Sequence, residues 1–399
     1  MPTAPLEHLV PLPTPDRPLP GHAAVAIIGG GIMGTSIAFH LAQAGVRDVV
    51  LIERDTLGSG SSAKPLGGVR ATFSDPGNIQ LGQQSLEAFE RFDAQFGTDI
   101  GLRQVGYLFL CRTPEEADAV AASAELQNRM GGDTRLLGPA DAVALNPYLD
   151  ARVLVGASHA PRDGYARPAR VVAGYAAAAR QLGVDVCERT EVLAIERAGG
   201  VHQLHTSRGS LAADTLVIAA GAWSRRVGAM VGVDLPVEPL RRLIGVTAPL
   251  RPAPGDIPFT LDLSTTLYFH GAGDALLVGI SHPGQAAGFG REFDHEWVPA
   301  FDEAARVIAP SLAGLPLAGG WAGLYEDTPD HNALIGRAHE VEGVLYATGF
   351  SGHGFLQGPA VGEVVRDLHL GREPFLDPAP FSAARFGDGA QRIRELHII

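Results

Sequence analysis

Residues 23–54 read AAVAIIGGGIMGTSIAFHLAQAGVRDVVLIER, which is an apolar stretch, a glycine run, an amphipathic stretch and a second apolar stretch. This order predicts a strand, a tight turn, a helix and a second strand. Gly29, Gly31 and Gly34 match the G-x-G-x-x-G pattern, whose glycines permit the turn, the approach of a pyrophosphate and close helix packing. Glu53 lies at the end of the second strand, where a carboxylate accepts hydrogen bonds from ribose hydroxyls. The segment therefore predicts a dinucleotide-binding unit.

The residues after Glu53 decide which dinucleotide is bound. Residues 54–68, RDTLGSGSSAKPLGG, form a loop rich in glycine and serine, which favours a chain that continues along the cofactor towards a flavin ring. An NAD enzyme more often proceeds into another helix, and the Glu53 carboxylate repels the extra phosphate of NADP. We therefore expect FAD. Its predicted contacts in this region are Gly29, Gly31, Ile32, Met33, Gly34, Glu53, Arg54, Ser61, Ser62, Lys64, Gly67 and Gly68.

Bulk composition excludes several classes of function. The chain has 399 residues, enough for two lobes around a large core. Its net charge of −13 argues against nucleic acid and anionic lipid, since both require clustered lysine and arginine. Cys111 and Cys187 are the only cysteines, so we expect no disulfide framework, no metal site and a cytoplasmic location. No run approaches the ~20 apolar residues of a membrane helix, so we expect no integral membrane segment.

Strand and helix patterns alternate through the middle of the chain. Residues 167–182 predict a helix with Pro168 in its first turn, and strand-like stretches follow at 184–188, 191–196, 201–206 and 215–220. Residues 79–96 carry apolar positions at helical spacing. Residues 236–319 differ, because their alternating runs are typical of an antiparallel sheet. This sheet is the predicted substrate lobe.

Six motifs in order give the chain a resemblance to a known family. They are AIIGGGIMG (26–34), LGSGSSAKPLGGVRATF (57–73), DGYARP (163–168), VIAAGAWS (217–224), WAGLYEDTPDHNALIG (321–336) and ATGFSGHGFLQGPAVGEVV (347–365). Together they resemble the D-amino-acid oxidase superfamily, in the branch of sarcosine oxidase, glycine oxidase and the proline dehydrogenase β subunit. The resemblance spans most of the chain.

The resemblance implies a fold class and a division into domains. The fold class is α/β, with an FAD-binding Rossmann-like lobe of the glutathione-reductase type and a second α+β lobe whose antiparallel sheet roofs the substrate pocket. The FAD-binding domain is expected to be discontinuous, at 23–85, 150–231 and 320–385, with the substrate domain at 86–149 and 232–319. Residues 1–22 are expected to form a flexible proline-rich arm and residues 386–399 a C-terminal tail.

The later motifs imply further cofactor contacts. The glycines of GFSGHGF allow the backbone to approach the flavin, and the helix that follows near Gly358 can direct its positive end at N1 and C2=O of the ring. Trp223 is open to a second interpretation, as a residue of the core. The contacts implied in these regions are Val192, Ala220, Gly221, Trp223, Gly352, His353, Gly354, Phe355 and Leu356.

Four residues are the candidate catalytic or substrate-binding groups. Arg70 lies where relatives place an arginine that binds the substrate carboxylate; the alternative is a structural arginine in the flavin loop. Tyr268, Tyr325 and His353 fall where relatives line the active site, and each can orient an amine or a carboxylate. The alternative for the two tyrosines is a wall position, and for His353 a position packed beside the ring.

Several positions depart from the family pattern. The lysine that sarcosine oxidases pair with the arginine is Leu356 here, and the arginine that glycine oxidases use corresponds to Gly352. The second positively charged group expected to bind the substrate carboxylate is therefore missing. Either another group takes its place or the substrate is not a simple α-amino acid. Leu277 stands in place of the lysine that assists oxygen activation, and Lys64 is the only lysine in the chain. A dehydrogenase is therefore favoured over an oxidase.

The way in which FAD is held can be predicted from the same resemblance. Relatives that tether the cofactor use a cysteine at a position that corresponds here to Gly323–Leu324, or a histidine in the flavin loop. No histidine occurs between His40 and His159. FAD is therefore expected to be non-covalent.

These observations favour one function and leave two alternatives. The favoured reaction is FAD-dependent oxidation of the C–N bond of an amino-acid-like secondary amine, an N-alkyl amino acid or cyclic imino acid, by hydride transfer to flavin N5. Oxidation of a 2-hydroxy acid is one alternative, and an FAD-binding subunit active only within a hetero-oligomer is the other. The electron acceptor is left open between a quinone, a carrier protein, a partner flavin and oxygen, as are homo- and hetero-oligomeric states.

Overall fold

A computed structural model describes residues 18–281 and 284–387 of the chain. Within these ranges the chain forms two large β-sheets, a two-stranded ribbon and nine α-helices. Residues 1–17 of the expected arm and 388–399 of the expected tail lie outside the described residues.

The first sheet is the parallel layer that the opening motif predicts. Its central order is β17-β18-β11-β1-β2-β8, and β1 pairs in parallel with both β2 and β11. Strands β9 and β10 extend it as an antiparallel meander beside β11. The strands are β1 (His22–Ile28), β2 (Val49–Ile52), β8 (Asp185–Cys187), β9 (Val192–Ala198), β10 (Val201–Thr206), β11 (Gly209–Ile218), β17 (Leu334–Arg337) and β18 (Val344–Thr348).

Helices cover this sheet and fill the spaces beside the second one. Several begin with proline in the first turn, where the missing N–H removes no helical hydrogen bond. Thr113 and Glu116 add a reciprocal capping box to the fourth helix. The helices are α1 (Ile32–Gln43), α2 (Pro76–Glu90), α3 (Phe92–Phe96), α4 (Pro114–Arg129), α5 (Pro139–Leu145), α6 (Pro168–Gln181), α7 (Ser224–Val231), α8 (Val298–Ile308) and α9 (Gly354–Leu370).

The helical pattern predicted across residues 79–96 is divided into two helices. The first, α2, begins at Pro76 because the Asp75 side chain caps it, accepting a hydrogen bond from the Asn78 amide at 3.0 Å. It ends at Glu90, and the short α3 starts after Arg91. Apolar spacing alone did not reveal this break.

The second sheet is largely antiparallel, as the alternating runs predict. Its order is β16-β12-β15-β14-β13-β4-β6-β5, and the one parallel pair described in this sheet is β13 with β4. Strands β3 (Gly68–Val69) and β7 (Gly164–Tyr165) form the separate ribbon. The sheet contains β4 (Tyr107–Cys111), β5 (Arg135–Leu137), β6 (Gly156–Ala160), β12 (Glu238–Thr247), β13 (Phe259–Asp262), β14 (Tyr268–Ala272), β15 (Ala275–Gly279) and β16 (Leu317–Asp327).

Two strands of this sheet come from segments that the sequence assigned to the FAD-binding domain. β6 lies within 150–231, and most of β16 lies within 320–385, yet both pair with strands of the substrate lobe. β16 is the longest strand of the second sheet, and its last residues reach the first sheet. The WAGLYED motif therefore belongs to the second sheet while it borders the cofactor cleft.

Helix α1 lies between the first sheet and helices α6 and α9. Eleven of its twelve residues are buried, among them Ile37 and Leu41, so it lacks the polar face of a surface helix. α9 packs so closely on α1 that a Cβ on Gly362 would overlap the Ser36 hydroxyl. The amino-terminal ends of α1 and α9 are thereby held near each other.

Candidate active site

The turn between β1 and α1 forms the floor of a cleft, and its glycines are required by geometry. Gly29 has φ +115°, and a Cβ there would overlap the carbonyl of Ala219. A Cβ on Gly34 would overlap the Gly29 carbonyl, which fixes the approach of α1 to β1. A Cβ on Gly31 would lie 2.8 Å from the Ser62 hydroxyl and would narrow the cleft. The bare backbone leaves space for a pyrophosphate at the start of α1.

Glu53 and Ser62 line the same cleft. One Glu53 oxygen accepts from the Gly30 amide at 2.7 Å and the other from the Asp55 amide at 2.9 Å. Burial raises the pKa of Glu53. A carboxylate can accept about four hydrogen bonds, so both oxygens retain capacity for ribose hydroxyls. Ser62 Oγ accepts from the Ile32 amide at 2.8 Å, which draws the flavin loop over the helix start.

A second cavity adjoins the cleft. The cleft and the second cavity measure about 1200 and 1090 Å³, including space open to solvent, and share Ile32, Ser61, Ser62 and Glu326 in their walls. The cleft fits the adenosine diphosphate part of FAD, and the second cavity lies where the rest of the dinucleotide and a substrate must lie. Its aromatic wall is formed by Tyr107, Phe259, Tyr268, Tyr325 and Phe355.

Most predicted FAD contacts lie in these two walls. Gly34 and Gly67 do not, and both act through backbone packing, since a Cβ on Gly67 would overlap the Ala166 carbonyl. The cleft contains Gly29, Gly31, Ile32, Met33, Glu53, Arg54, Ser61, Ser62, Val192, Ala220, Gly221 and Trp223. The second cavity contains Lys64, Gly68, Gly352, His353, Gly354, Phe355 and Leu356.

Trp223 forms part of a cationic and aromatic cluster at the mouth of the cleft. The Arg54 guanidinium lies 3.9 Å from the Trp223 ring centroid, and Phe289 of the substrate lobe stacks on it at 5.4 Å. Arg226, which also lines the cleft, lies 4.0 Å from the Phe289 centroid. Trp223 is only half-buried and lines the cleft, so its position is that of a wall residue and not of a core residue.

All four predicted catalytic residues line the second cavity. Burial raises the pKa values of Tyr268 and Tyr325, so both phenols keep their protons at neutral pH. Tyr268 is positioned by donating to the Leu243 carbonyl at 3.3 Å. Burial and the charge of Arg70 lower the pKa of His353 well below its ordinary value, so its ring is neutral. Its Nε2 is buried and has no hydrogen-bond partner among the described residues.

Arg70 is bound to the protein itself. Its Nη1 donates to the Thr72 carbonyl, and its guanidinium lies 4.1 Å from the Phe73 ring centroid. Asp163, from the DGYARP motif, accepts from the Ala71 amide at 3.1 Å and the Thr72 hydroxyl at 2.9 Å. Burial raises the pKa of Asp163 to about 7, while the nearby Arg70 charge opposes that rise. Arg70 therefore belongs to a buried polar cluster as well as to the cavity wall.

Arg242 is a cavity residue that sequence reasoning missed. It lies on β12, where Arg242 and Ile244 alternate towards the cavity, and its guanidinium is 4.9 Å from the Tyr325 ring centroid. The alternation of RRLIGVT was visible in the sequence, but only the pairing of β12 with β16 decides which face meets the cavity. Tyr107 and Phe259 were missed for the same reason.

Glu326 is a further residue that the sequence analysis missed, and it lies where the two cavities meet. Its Oε2 accepts from the Thr348 hydroxyl at 2.9 Å, and the amides of Gly349 and Phe350 also donate to it. Burial raises its pKa to about 7, against the effect of these hydrogen bonds. The sequence showed only an acidic residue in a turn-like EDTPD run.

The two-lobed fold and this pair of cavities define a flavin-dependent oxidoreductase. The chain belongs to the family described as FAD dependent oxidoreductase (DAO), which matches residues 24–368. Within this family the cofactor is FAD, and the glycine cradle, the half-buried Glu53 and the start of α9 fit it. When bound, FAD would accept two electrons from the substrate that is oxidised.

Individual members of the family are similar to this chain over most of its length. Glycine oxidase of Geobacillus kaustophilus (strain HTA426) is 33% identical over 377 residues, which cover 90% of this chain and 96% of that protein. Mitochondrial dimethylglycine dehydrogenase of Rattus norvegicus is 30% identical over 388 residues, covering 92% of this chain and 45% of that protein. The chain therefore spans about half the length of that relative.

Solved structures agree with the fold. The crystal structure of L-proline dehydrogenase from P. horikoshii has a TM-score of 0.88 and 31% identity, covering 94% of this chain and all of that chain. Among the described residues, no helix is both long and apolar enough to span a bilayer. Within the same residues, no cluster of three or more histidine, cysteine or acidic groups is placed to hold a metal ion.

Proposed function

We propose that the protein oxidises the C–N bond of an amino-acid-like secondary amine, such as an N-alkyl amino acid or a cyclic imino acid, and acts as a dehydrogenase. The observation that carries this proposal is an aromatic cavity that adjoins the cofactor cleft and contains Arg70, Arg242 and Lys64. The names of the relatives, glycine oxidase, dimethylglycine dehydrogenase and L-proline dehydrogenase, support it.

The cavity favours the reactive form of an amine. Transfer of hydride from carbon requires a neutral amine with a free electron pair, and nearby positive charges lower the pKa of a bound ammonium group. The acidic group in the cavity wall is Glu326, whose raised pKa weakens its ability to hold an ammonium ion. The neutral His353 imidazole can accept or donate a hydrogen bond to the amine without adding charge.

The aromatic wall suits the alkyl groups of such a substrate. Tyr107 and Phe259 stack with centroids 4.3 Å apart and planes at 6°, which makes a flat apolar surface. Tyr268 and Tyr325 complete the wall, and burial keeps their hydroxyls neutral. Alkyl carbons on nitrogen gain from burial at such a surface by ~0.8 kcal/mol per CH₂.

Two features support a dehydrogenase. Leu277, at the position of the oxygen-activating lysine, is buried in an apolar cluster with Ile244 and Val246. Burial and the charge of Arg291 lower the pKa of Lys64, the only lysine of the chain. Its amine therefore loses its proton more readily than that of an exposed lysine. Oxygen is reduced through the superoxide anion, which a cation at position 277 would stabilise and which Leu277 does not.

Anaerobic stopped-flow reduction of the purified flavoprotein tests the proposal. The panel contains N-methylglycine, N,N-dimethylglycine, L- and D-proline, primary amino acids and matched 2-hydroxy acids, and oxygen is then admitted. We expect a secondary amine of the panel, N-methylglycine or one of the prolines, to bleach the flavin rapidly and reoxidation by oxygen to be slow. Bleaching by a hydroxy acid alone would overturn the amine assignment, and fast reoxidation would overturn the dehydrogenase. No bleaching by any compound would favour a subunit that requires a partner.

A further inference from the structure

Arg242 differs from the arginines that stabilise the fold. On β12 it pairs with Gly323 of β16, and its side chain reaches the cavity, whereas its neighbour Arg241 forms a salt bridge with Asp294 at 2.8 Å. Gly323 leaves room here, since a Cβ at that position would lie 2.9 Å from Cβ of Lys64. The local strand pairing therefore holds one guanidinium towards the cavity and the adjacent one away from it.

The guanidinium of Arg242 is incompletely satisfied. Its Nε is buried and has no hydrogen-bond partner among the described residues. Its Nη1 makes a long hydrogen bond, 3.3 Å, to the carbonyl of Arg241. Within residues 18–281 and 284–387 it forms no salt bridge, unlike Arg385, which lies 2.8 Å from Asp330. A half-buried cation without a counterion is costly unless a ligand supplies the anion.

Other residues fix the plane of this guanidinium. The Tyr325 ring lies 4.9 Å away, a distance at which a cation is attracted to the face of a ring. Tyr325 is itself confined, because a Cβ on Gly352 would lie only 2.6 Å from its ring atoms. Tyr325 therefore limits the space open to this guanidinium, whose planar fork suits a planar two-oxygen anion.

Arg70 offers less to a ligand than Arg242 does. Its guanidinium already binds the Thr72 carbonyl, lies over Phe73, and sits beside the buried Asp163 carboxylate. Leu356 and Gly352, which also line the cavity, carry no charge. Lys64 also lines the cavity, but burial and the charge of Arg291 lower the pKa of its amine. Of the three cations, Arg242 is therefore the most available to an anionic group.

We infer that Arg242 binds the carboxylate of the amino-acid substrate, and that Arg70 mainly holds the flavin loop in place. The inference rests on the proposed function and deepens it, because it restricts the substrate to amines that carry a carboxylate. The carboxylate lies against the Arg242 fork above Tyr325, and the amine then faces His353. Amines that lack the acid group bind weakly.

Ligand binding to the holoenzyme tests this assignment without turnover. Pyrrole-2-carboxylate, a planar acid that cannot be oxidised at a saturated carbon, is titrated while the flavin absorption spectrum is recorded, with pyrrole as the ligand that lacks the acid. For Arg242→Met we expect Kd for the acid to rise roughly 10- to 150-fold, the value of a charge-assisted hydrogen bond, and Kd for pyrrole to stay unchanged. Arg225→Met is the matched control, since Arg225 is half-exposed and pairs with Glu238 at the surface.

A lysine variant at position 242 distinguishes a loss of ligand binding from a loss of folding. Arg242→Lys keeps the charge but loses the two-pronged geometry, so Kd for the acid is expected to rise several-fold, and the KM of an amino-acid substrate to rise more than kcat falls. Unchanged acid binding in both Arg242 variants would overturn the inference. So would loss of acid selectivity in Arg70→Lys but not in Arg242→Lys.

The same titrations separate the two proposals. If the wild type binds pyrrole-2-carboxylate through Arg242 yet no amine bleaches its flavin, the carboxylate anchor stands and amine oxidation fails. If amines bleach the flavin equally with and without a carboxylate, amine oxidation stands and the anchor fails.

Discussion

Glu326 gives the protein a pH-dependent stability that can be worked out from its surroundings. Burial raises its pKa from an ordinary 4.5 to about 7. Between these values the folded state keeps a proton that the unfolded chain has lost, so the contribution to stability is complete below about pH 4.5 and is lost as pH rises through about 7. One pKa step is worth ~1.4 kcal/mol, so the whole effect is roughly 3 kcal/mol.

Glu326→Gln removes this ionisation while keeping a similar shape and an oxygen for the Gly349 and Phe350 amides. Between pH 5 and pH 8 we expect the free energy of unfolding of the wild type to fall by roughly 2–3 kcal/mol relative to this variant. Urea unfolding at both pH values, followed by far-UV circular dichroism with excess FAD, measures the difference. Buried Asp163 has a similarly raised pKa, but it is present in both proteins and cancels.

The control for Glu326→Gln is Glu342→Gln, because the Glu342 side chain is 89% exposed in a surface pair with Arg197. It should show no such difference from the wild type. Parallel pH profiles for wild type and Glu326→Gln would refute the reasoning, since they would mean that Glu326 ionises in the folded protein as easily as in the unfolded chain.

Two further predictions concern the cofactor. Gly29→Ala should destabilise the protein by ~1–3 kcal/mol, because the new Cβ overlaps the Ala219 carbonyl. It should also lower the ratio of flavin to protein absorbance. Thermal unfolding measures the loss of stability. Gly45→Ala is the control, since Gly45 also has positive φ but nothing lies within 4 Å of its added Cβ. Equal losses of stability and of bound flavin in both variants would contradict a steric cause. FAD should be released by acid precipitation, because Gly323 and Leu324 offer no thiol at the attachment position; flavin in the pellet would show a covalent bond.

The parts of the site that the sequence predicted are those in which local chemistry dictates structure. Gly29 and Gly34 are needed within a few residues of each other, so their pattern can be read directly. Glu53 follows a short buried strand and points back to the same turn, where it accepts from Gly30. Such features depend on neighbours in sequence or on one strand pairing.

Arg242 and the strand membership of WAGLYED depend on long-range pairing, which the sequence did not specify. An alternating strand has two candidate faces, and the register of β12 on β16 selects the one that carries Arg242 and Ile244 into the cavity. β16 reads as an extended segment in either lobe. Its place in the second sheet is decided by hydrogen bonds to residues some eighty positions earlier in the chain.

One departure from the family pattern has a steric explanation. The sequence resemblance aligns an arginine of glycine oxidases with Gly352, which has φ +100° and lies against the Tyr325 ring. A side chain at position 352 would displace Tyr325. The large ring at position 325 therefore requires glycine at position 352. In our proposal, Arg242 of β12, 4.9 Å from the Tyr325 ring centroid, supplies the positive charge that position 352 lacks.

The position of α1 beneath α9 also bears on how the chain is made. Synthesis delivers β1 and α1 first, but β18 and α9, which complete their surroundings, follow only after residue 343. Until then one side of α1, whose residues are almost all buried in the complete fold, stays uncovered. Binding of the dinucleotide at the start of α1 is therefore expected to require that synthesis has passed α9.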